Sequence, residues 1–111
     1  RIGKNCLIGM NAVVMDNVVL GDECIVGALS FIKAEEIFGA RSLIVGNPAK
    51  KIKEVSDEMI AWKTDGTKLY QALPAEMNAY WKECEPLREV PEERPAQEML
   101  YQLWNSLRKK I

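Results

Sequence analysis

Aliphatic residues stand at positions 2, 8, 14, 20, 26 and 32. An interval of six is produced neither by an amphipathic helix, near 3.6, nor by a half-buried strand, near 2. Written in sixes from residue 2 to residue 37, the chain reads IGKNCL, IGMNAV, VMDNVV, LGDECI, VGALSF and IKAEEI. Position one is always aliphatic, and position two is Gly in four of the six hexads. Position five holds Cys6, Ala12, Val18, Cys24, Ser30 and Glu36, all but the last small or medium. Hexapeptide repetition is a signature of the parallel β-helix, in which a short strand and a tight bend, made three times, return the chain to its starting face. First-position aliphatics then point inward and stack on the next coil, about 4.8 Å away. The expected vertical pairs are Ile2 with Leu20, Ile8 with Val26, Val14 with Ile32 and Cys6 with Cys24. The second-position glycines are expected to permit the bends, since Gly adopts angles closed to other residues.

The count of six is expected to end after Ile37. "FGARSLIVGNPAK" reads as a loop, a last strand at Ser42 to Val45 and an exit turn through Gly46, Asn47 and Pro48. Ser56 is placed to cap a helix starting at Asp57, with Met59, Trp62, Leu69, Tyr70 and Leu73 on one face. Gly66 marks a kink or a close contact, Pro74 limits the helix, and a second helix is expected around Ala75 to Cys84. The domain reading is thus coils over 1–49, a helical extension on the prism over 50–84, a Pro-rich acidic linker over 85–95 and an amphipathic helix over 96–111. In that last segment Met99, Leu100, Leu103, Trp104, Leu107 and Ile111 recur at three- and four-residue steps. It suits packing on its own domain or reaching a neighbouring subunit.

Composition removes several functions. Lys and Arg number 15 against 16 Asp and Glu, so no net field draws the chain toward nucleic acid or an anionic membrane. The longest apolar run falls far short of the ~20 residues of a membrane span. Three cysteines without close pairs, and no signal-peptide pattern, point to the cytoplasm. The chain has no histidine, the commonest metal ligand and general base. Cys6 over Cys24 reads as a disulfide or soft metal pair, or as two small interior residues in register. Parallel Cβ vectors at strand spacing favour the second, because disulfides need Cβ separations near ~3.8 Å.

The blocks "LIGMNAVVMD", "IVGALSFIKA", "RSLIVGNPAK" and "AWKTDGTKLYQAL", in that order, resemble the gamma-class carbonic anhydrase-like hexapeptide-repeat family, and within it the phenylacetic acid degradation and carnitine operon proteins. The resemblance covers residues 1 to about 95 and matches the C-terminal portion of those proteins. It implies a fold that is mainly β with a C-terminal α part: a left-handed parallel β-helix followed by helices packed on its outside. It also implies a cytoplasmic homotrimer with sites between subunits, and zinc held by three histidines of two adjacent chains. Because Arg1 follows directly on the family's His-Gly-Cys segment, no zinc is expected in this chain itself.

Two residues match site positions of that family. Asn11 lies on the strand next to the metal pocket, where its amide would orient a water or carbonyl; equally, it reads as a corner residue capping its own bend. Tyr70 matches a helical tyrosine directed toward the metal, and also suits a contact on the prism wall. Lys50 and Lys51 read as cations for the phosphates of coenzyme A, or as solvated charge. Three functions follow. One is metal-dependent hydrolysis of coenzyme A thioesters by the complete protein, with this histidine-free chain inactive alone. The others are a hexapeptide acyltransferase, which generally needs a His base, and a non-catalytic trimerisation or accessory role.

Overall fold

The computed structural model describes residues 1–93; the helix expected over 96–111 lies outside the described residues. The chain divides into two compact units, Arg1–Thr64 and a second beginning at Asp65. The first contains eight strands: β1 (Leu7–Ile8), β2 (Val13–Val14), β3 (Val19–Leu20), β4 (Ile25–Val26), β5 (Phe31–Ile32), β6 (Ile37–Phe38), β7 (Ser42–Gly46) and β8 (Ala49–Glu54). They form three sheets, ordered β1-β4-β7-β8, β2-β5 and β3-β6, with every pair parallel except β7–β8.

The register is 18 residues throughout the parallel ladders. Leu7 pairs with Ile25, Val13 with Phe31 and Val19 with Ile37, and the next coil repeats the step as Ile25 with Leu43. The expected pairs Ile8–Val26, Val14–Ile32 and Ile2–Leu20 are all present. The count does not end after Ile37. Leu20 pairs with Phe38 and Val26 with Ile44, so the segment read as a loop is another turn of the same coil.

Hexad chemistry explains the core. Ile8, in the first coil, is 37% exposed, whereas Val26 stacked on it is 1% exposed and Ile44 above that is fully buried. Leu20, Val26, Ile32 and Ile44 at position one join Val18 and Cys24 at position five in one buried cluster, with Ala49 closing it. Burying each of the larger aliphatics contributes about 1.5–3 kcal/mol.

The bends lie elsewhere than at the glycines. Asn5, Asn11, Asn17, Glu23, Leu29, Glu35 and Arg41 all have positive φ, between 53° and 67°, one every six residues at position four. The αL conformation is easiest for Asn after Gly, which suits the first three corners and leaves the other four with residues that pay a steric cost. A second coil nevertheless secures them. The backbone N–H groups of Glu23, Leu29, Glu35 and Arg41 donate to the carbonyls of Lys4, Met10, Asp16 and Asp22 in the coil beneath.

The second-position glycines meet a packing demand instead. A Cβ on Gly21 would stand 2.4 Å from the Ala40 nitrogen and 2.8 Å from the Gly39 carbonyl carbon, and one on Gly9 would stand 2.4 Å from the Ala28 nitrogen. Gly39 occupies the same column as Gly3 and Gly21, yet a Cβ there meets nothing within 4 Å.

β8 was not expected. Residues 49–54 form an antiparallel strand on β7, with a bulge between Leu43 and Ile44, where a helical extension was expected from residue 50. Ser56 caps the following helix as anticipated, its Oγ accepting the Met59 N–H at 3.3 Å. That helix, α1 (Asp57–Tyr80), is single and continuous. It passes through Gly66 and Pro74, where a kink and a break were expected, and ends before the expected limit at Cys84. Proline in a helix interior removes one i→i−4 bond. Here residues 68–80 are exposed, so the carbonyl that loses that bond is not sealed in a core. Residues 81–93 carry neither helix nor strand and are exposed throughout.

Candidate functional site

Asn11 occupies the second corner of the first coil, exposed and with φ of 57°. The bend is closed by Ala12 N–H donating to the Gly9 carbonyl at 3.1 Å, while Leu29 follows at the equivalent corner of the next coil, 72% exposed. Asn11 shares its backbone state with six other corners, so that conformation reflects the hexad. Lys50 and Lys51 lie on β8, both exposed, opposite Val45 and Ile44. Lys51 is ion-paired with Glu54, and Lys53 makes this short strand cationic. β8 is three strands from β1, roughly 14 Å at ordinary spacing. Lys50 and Lys51 are neighbours on β8, at one edge of this sheet, and Asn11 lies at the corner that follows β1, at its other edge. Tyr70 belongs to the second unit and is 76% exposed.

Sequence reasoning missed a polar column at the first corner of each coil. Asn5, Glu23 and Arg41 follow one another at the 18-residue step. The Arg41 Nε donates to Glu23 Oε2 at 2.7 Å, and its second guanidinium branch donates to Asp57 Oδ1 at 2.7 Å in the first turn of α1. Glu23 foremost, then Asp57, raise the Arg41 pKa further above its already high ordinary value. Below them the Lys63 ammonium donates to Asn5 Oδ1, and Asn5 Nδ2 reaches Thr64 Oγ1 at 3.4 Å. Lys63 is buried beside Met59 on the same helix face. The signal for it was present: Lys63 falls four residues after Met59, on the apolar side. This column fastens the start of α1 to the coils.

Position five forms a second column. Cys6, Cys24 and Ser42 are stacked at the 18-residue step, and both cysteines are free thiols. Cys6 donates to the Gly21 carbonyl and Cys24 to the Gly39 carbonyl, each at 3.2 Å, while Ser42 Oγ reaches the same Gly39 oxygen at 2.8 Å. Burial pushes the Cys24 thiol up from its ordinary value, with the Ser42 backbone acting in the opposite direction. These sulfurs satisfy carbonyls of second-position glycines, as suits interior residues in register. Glu36 is the exception at this position: one carboxylate oxygen is paired with Lys33 at 3.3 Å, and the other is buried without a partner.

Zinc, implied by the family resemblance, does not fit these residues. Among the described residues no three His, Cys, Asp or Glu side chains come together as a metal would require, and the cysteine sulfurs face carbonyls. No helix of the described residues is long and apolar enough to cross a membrane.

Comparisons with known proteins follow the geometry. The family described as bacterial transferase hexapeptide (six repeats) matches residues 1–34, which contain five of the αL corners. The chain is 44% identical over 94 residues to the carnitine operon protein CaiE of Escherichia coli, covering 85% of this chain and 48% of that protein. The Salmonella agona protein of the same name is 43% identical over the same length, with the same coverage. Among solved structures, a putative acetyltransferase from Bacillus cereus superposes with a TM-score of 0.68 at 25% identity, covering 72% of this chain and 46% of that one. A hexapeptide transferase family protein from Anaplasma phagocytophilum gives 0.63 at 28% identity, with the same coverage. The chain spans about half the length of the curated relatives it matches. It is thus a hexapeptide-repeat chain, mainly β with one helix after the coils among the described residues, that resembles the carnitine operon proteins along most of its own sequence.

Proposed function

We propose that the chain is part of a cytoplasmic hexapeptide-repeat hydrolase of coenzyme A thioesters, of the gamma-class carbonic anhydrase-like kind, built as a trimer of left-handed β-helices. The observation that carries this reading is the 44% identity to a carnitine operon protein together with the unbroken 18-residue register. The thioester substrate class is what the family resemblance implies. Zinc belongs to the complete family protein, with ligands outside these 111 residues, and no step is derived through it. On this reading Lys50 and Lys51 meet the phosphates of coenzyme A, with Lys51 exchanging Glu54 for the anion, and the Asn11 amide and Tyr70 hydroxyl orient the reacting carbonyl or water.

Transfer of the acyl group to an acceptor is the second reading, favoured by the match to the bacterial transferase hexapeptide family. The two differ in product. The complete protein is incubated with a panel of acyl-coenzyme A thioesters, thiol release is followed, and the acyl product is identified by mass spectrometry. Free acid is expected. An acylated acceptor selects the transferase, and a folded, trimeric protein that turns over none of the thioesters is left with an accessory role. The 111-residue chain alone is expected to bind no stoichiometric zinc; one tightly held zinc per chain refutes the placement of the ligands outside it.

A further inference from the structure

The seven αL corners differ in what their side chains do. Asn5, Asn11 and Asn17 suit the conformation, since Asn visits αL readily. Glu23 and Arg41 suit it poorly, yet each makes a contact from its corner, Glu23 to Arg41 and Arg41 to Asp57. Leu29 is the apolar residue of the set, held at φ of 60° and 72% exposed. Neither backbone preference nor burial within the chain favours a leucine there. Strained residues of this kind cluster at functional positions.

The surroundings of Leu29 indicate what it meets. Its N–H donates to the Met10 carbonyl of the coil beneath at 3.0 Å, and Met10 is 83% exposed. On the adjoining β2–β5 ladder, Val14 and Ile32 join the core, while Val13 beside them is 46% exposed and its partner Phe31 half-buried. The matching outward ladder on β1, β4 and β7 is covered within the chain, for Ile25 there is 6% exposed. Residues 8–14 and 26–32 contain no Asp, Glu, Lys or Arg, whereas the corners on either side carry Lys4, Asp22, Glu23 and Arg41, and Asp16 and Glu35. We propose that this uncharged side, with Leu29 at its rim, is the surface on which a second copy of the chain docks, coils beside coils. The proposal rests on the reading of the chain as an oligomer of β-helices and adds which surface joins the copies.

Three properties select this occupant. The absence of charge leaves nothing to pair with a phosphate or an acidic peptide. Met10 and Leu29 form a projecting ridge, whereas small-molecule sites are concave. The pitch fits another copy: Met10 with Leu29, and Val13 with Phe31, recur once per coil, about 4.8 Å apart. A second chain with its coils aligned presents apolar side chains at the same interval, so those of one copy fall between those of the other. The exposed apolar area is on the order of a few hundred Å², more than isolated apolar side chains leave bare and comparable with the non-polar share of the ~800 Å² that each partner gives to a standard interface.

The test is sedimentation equilibrium of the full 111-residue chain from about 1 μM to about 500 μM, where mass action reveals association. The parent chain is expected to associate. Leu29→Asn is expected to weaken that association at least about tenfold. Urea midpoints at the lowest concentration, where copies are apart, separate docking from folding: Leu29→Asn should there be at least as stable as the parent. If its midpoint instead falls, Met10→Lys, which sets a charge in the same contact, decides in its place with the same tenfold expectation. A parent that associates, and a deciding variant that associates equally well, overturn the proposal and leave the oligomeric reading standing. A parent that stays monomeric over the whole range overturns both.

Discussion

Gly21→Ala tests the packing of the coils because two general effects oppose each other there. Gly21 has no positive φ, so adding a methyl group should by itself stabilise the chain by about 0.4–1 kcal/mol, through a less flexible unfolded state. In the folded chain, however, that Cβ would stand 2.4 Å from the Ala40 nitrogen and 2.7 Å from its Cα. Both are backbone atoms fixed by the adjoining coil, through the Gly21 N–H to Phe38 carbonyl bond of 2.9 Å and the Arg41 N–H to Asp22 carbonyl bond of 2.8 Å. Opening them by the several tenths of an ångström required is overpacking, which typically costs about 1–3 kcal/mol. Overpacking wins, and the net expectation is a loss of roughly 0.5–2 kcal/mol. Gly39→Ala supplies the control, since the same substitution one coil later meets nothing within 4 Å and should be neutral or slightly stabilising. Urea denaturation of the two variants beside the parent chain measures both. A Gly21→Ala chain as stable as the parent, or a Gly39→Ala chain that loses more, would refute the argument that these glycines serve close approach between coils.

Three further outcomes are expected. Leu29 is a bulky residue held at φ of 60° with its side chain 72% exposed, so Leu29→Asn should stabilise the chain by about 1 kcal/mol in the same denaturation assay. The Cys24 thiol is raised above its ordinary value of 9.0 by burial, so the unfolded chain releases this proton first. Stability should then fall as pH rises above about 9, with a flatter slope for Cys24→Ser when melting temperature is followed from pH 7 to pH 10. Asn11→Gly keeps the corner conformation while removing the amide: if Asn11 orients a reacting group, the complete protein loses turnover without losing stability, whereas a purely structural Asn11 leaves turnover intact.

The stacking was legible because each first-position aliphatic must be covered by the next, and Ile2, Ile8 and Val14 named their own partners. Of the corners, only Asn11 reads as one from the sequence, beside its site role; the bends were expected at the glycines, although Asn5, Asn11 and Asn17 are residues that tolerate αL. Glu23, Leu29, Glu35 and Arg41 give no such signal, because the N–H bonds to the coil beneath, and not their own preferences, hold them there. β8 stayed hidden behind Lys50, Lys51 and Lys53; lysines on an exposed edge strand discourage further pairing but read as loop or solvated helix. The continuity of α1 was obscured by Gly66 and Pro74, whose local penalties are outweighed by the helix formers around them. Of the candidate site, the place of Asn11 in the repeat followed from the hexad count, whereas Lys50 and Lys51 were expected in a helical extension and lie on β8. The Asn5, Glu23 and Arg41 column required that count to be carried past Ile37, which the weaker pattern of "FGARSL" concealed.

The central claim is that this chain repeats its position every 18 residues. Scalar couplings across hydrogen bonds, measured by solution NMR on the labelled chain, read the register directly. The account predicts couplings from the amide of Leu7 to the carbonyl of Cys24, from Val13 to Ser30, and from Val19 to Glu36. Couplings that instead join neighbouring hexads as antiparallel hairpins, or that shift these partners by even one residue, would contradict it.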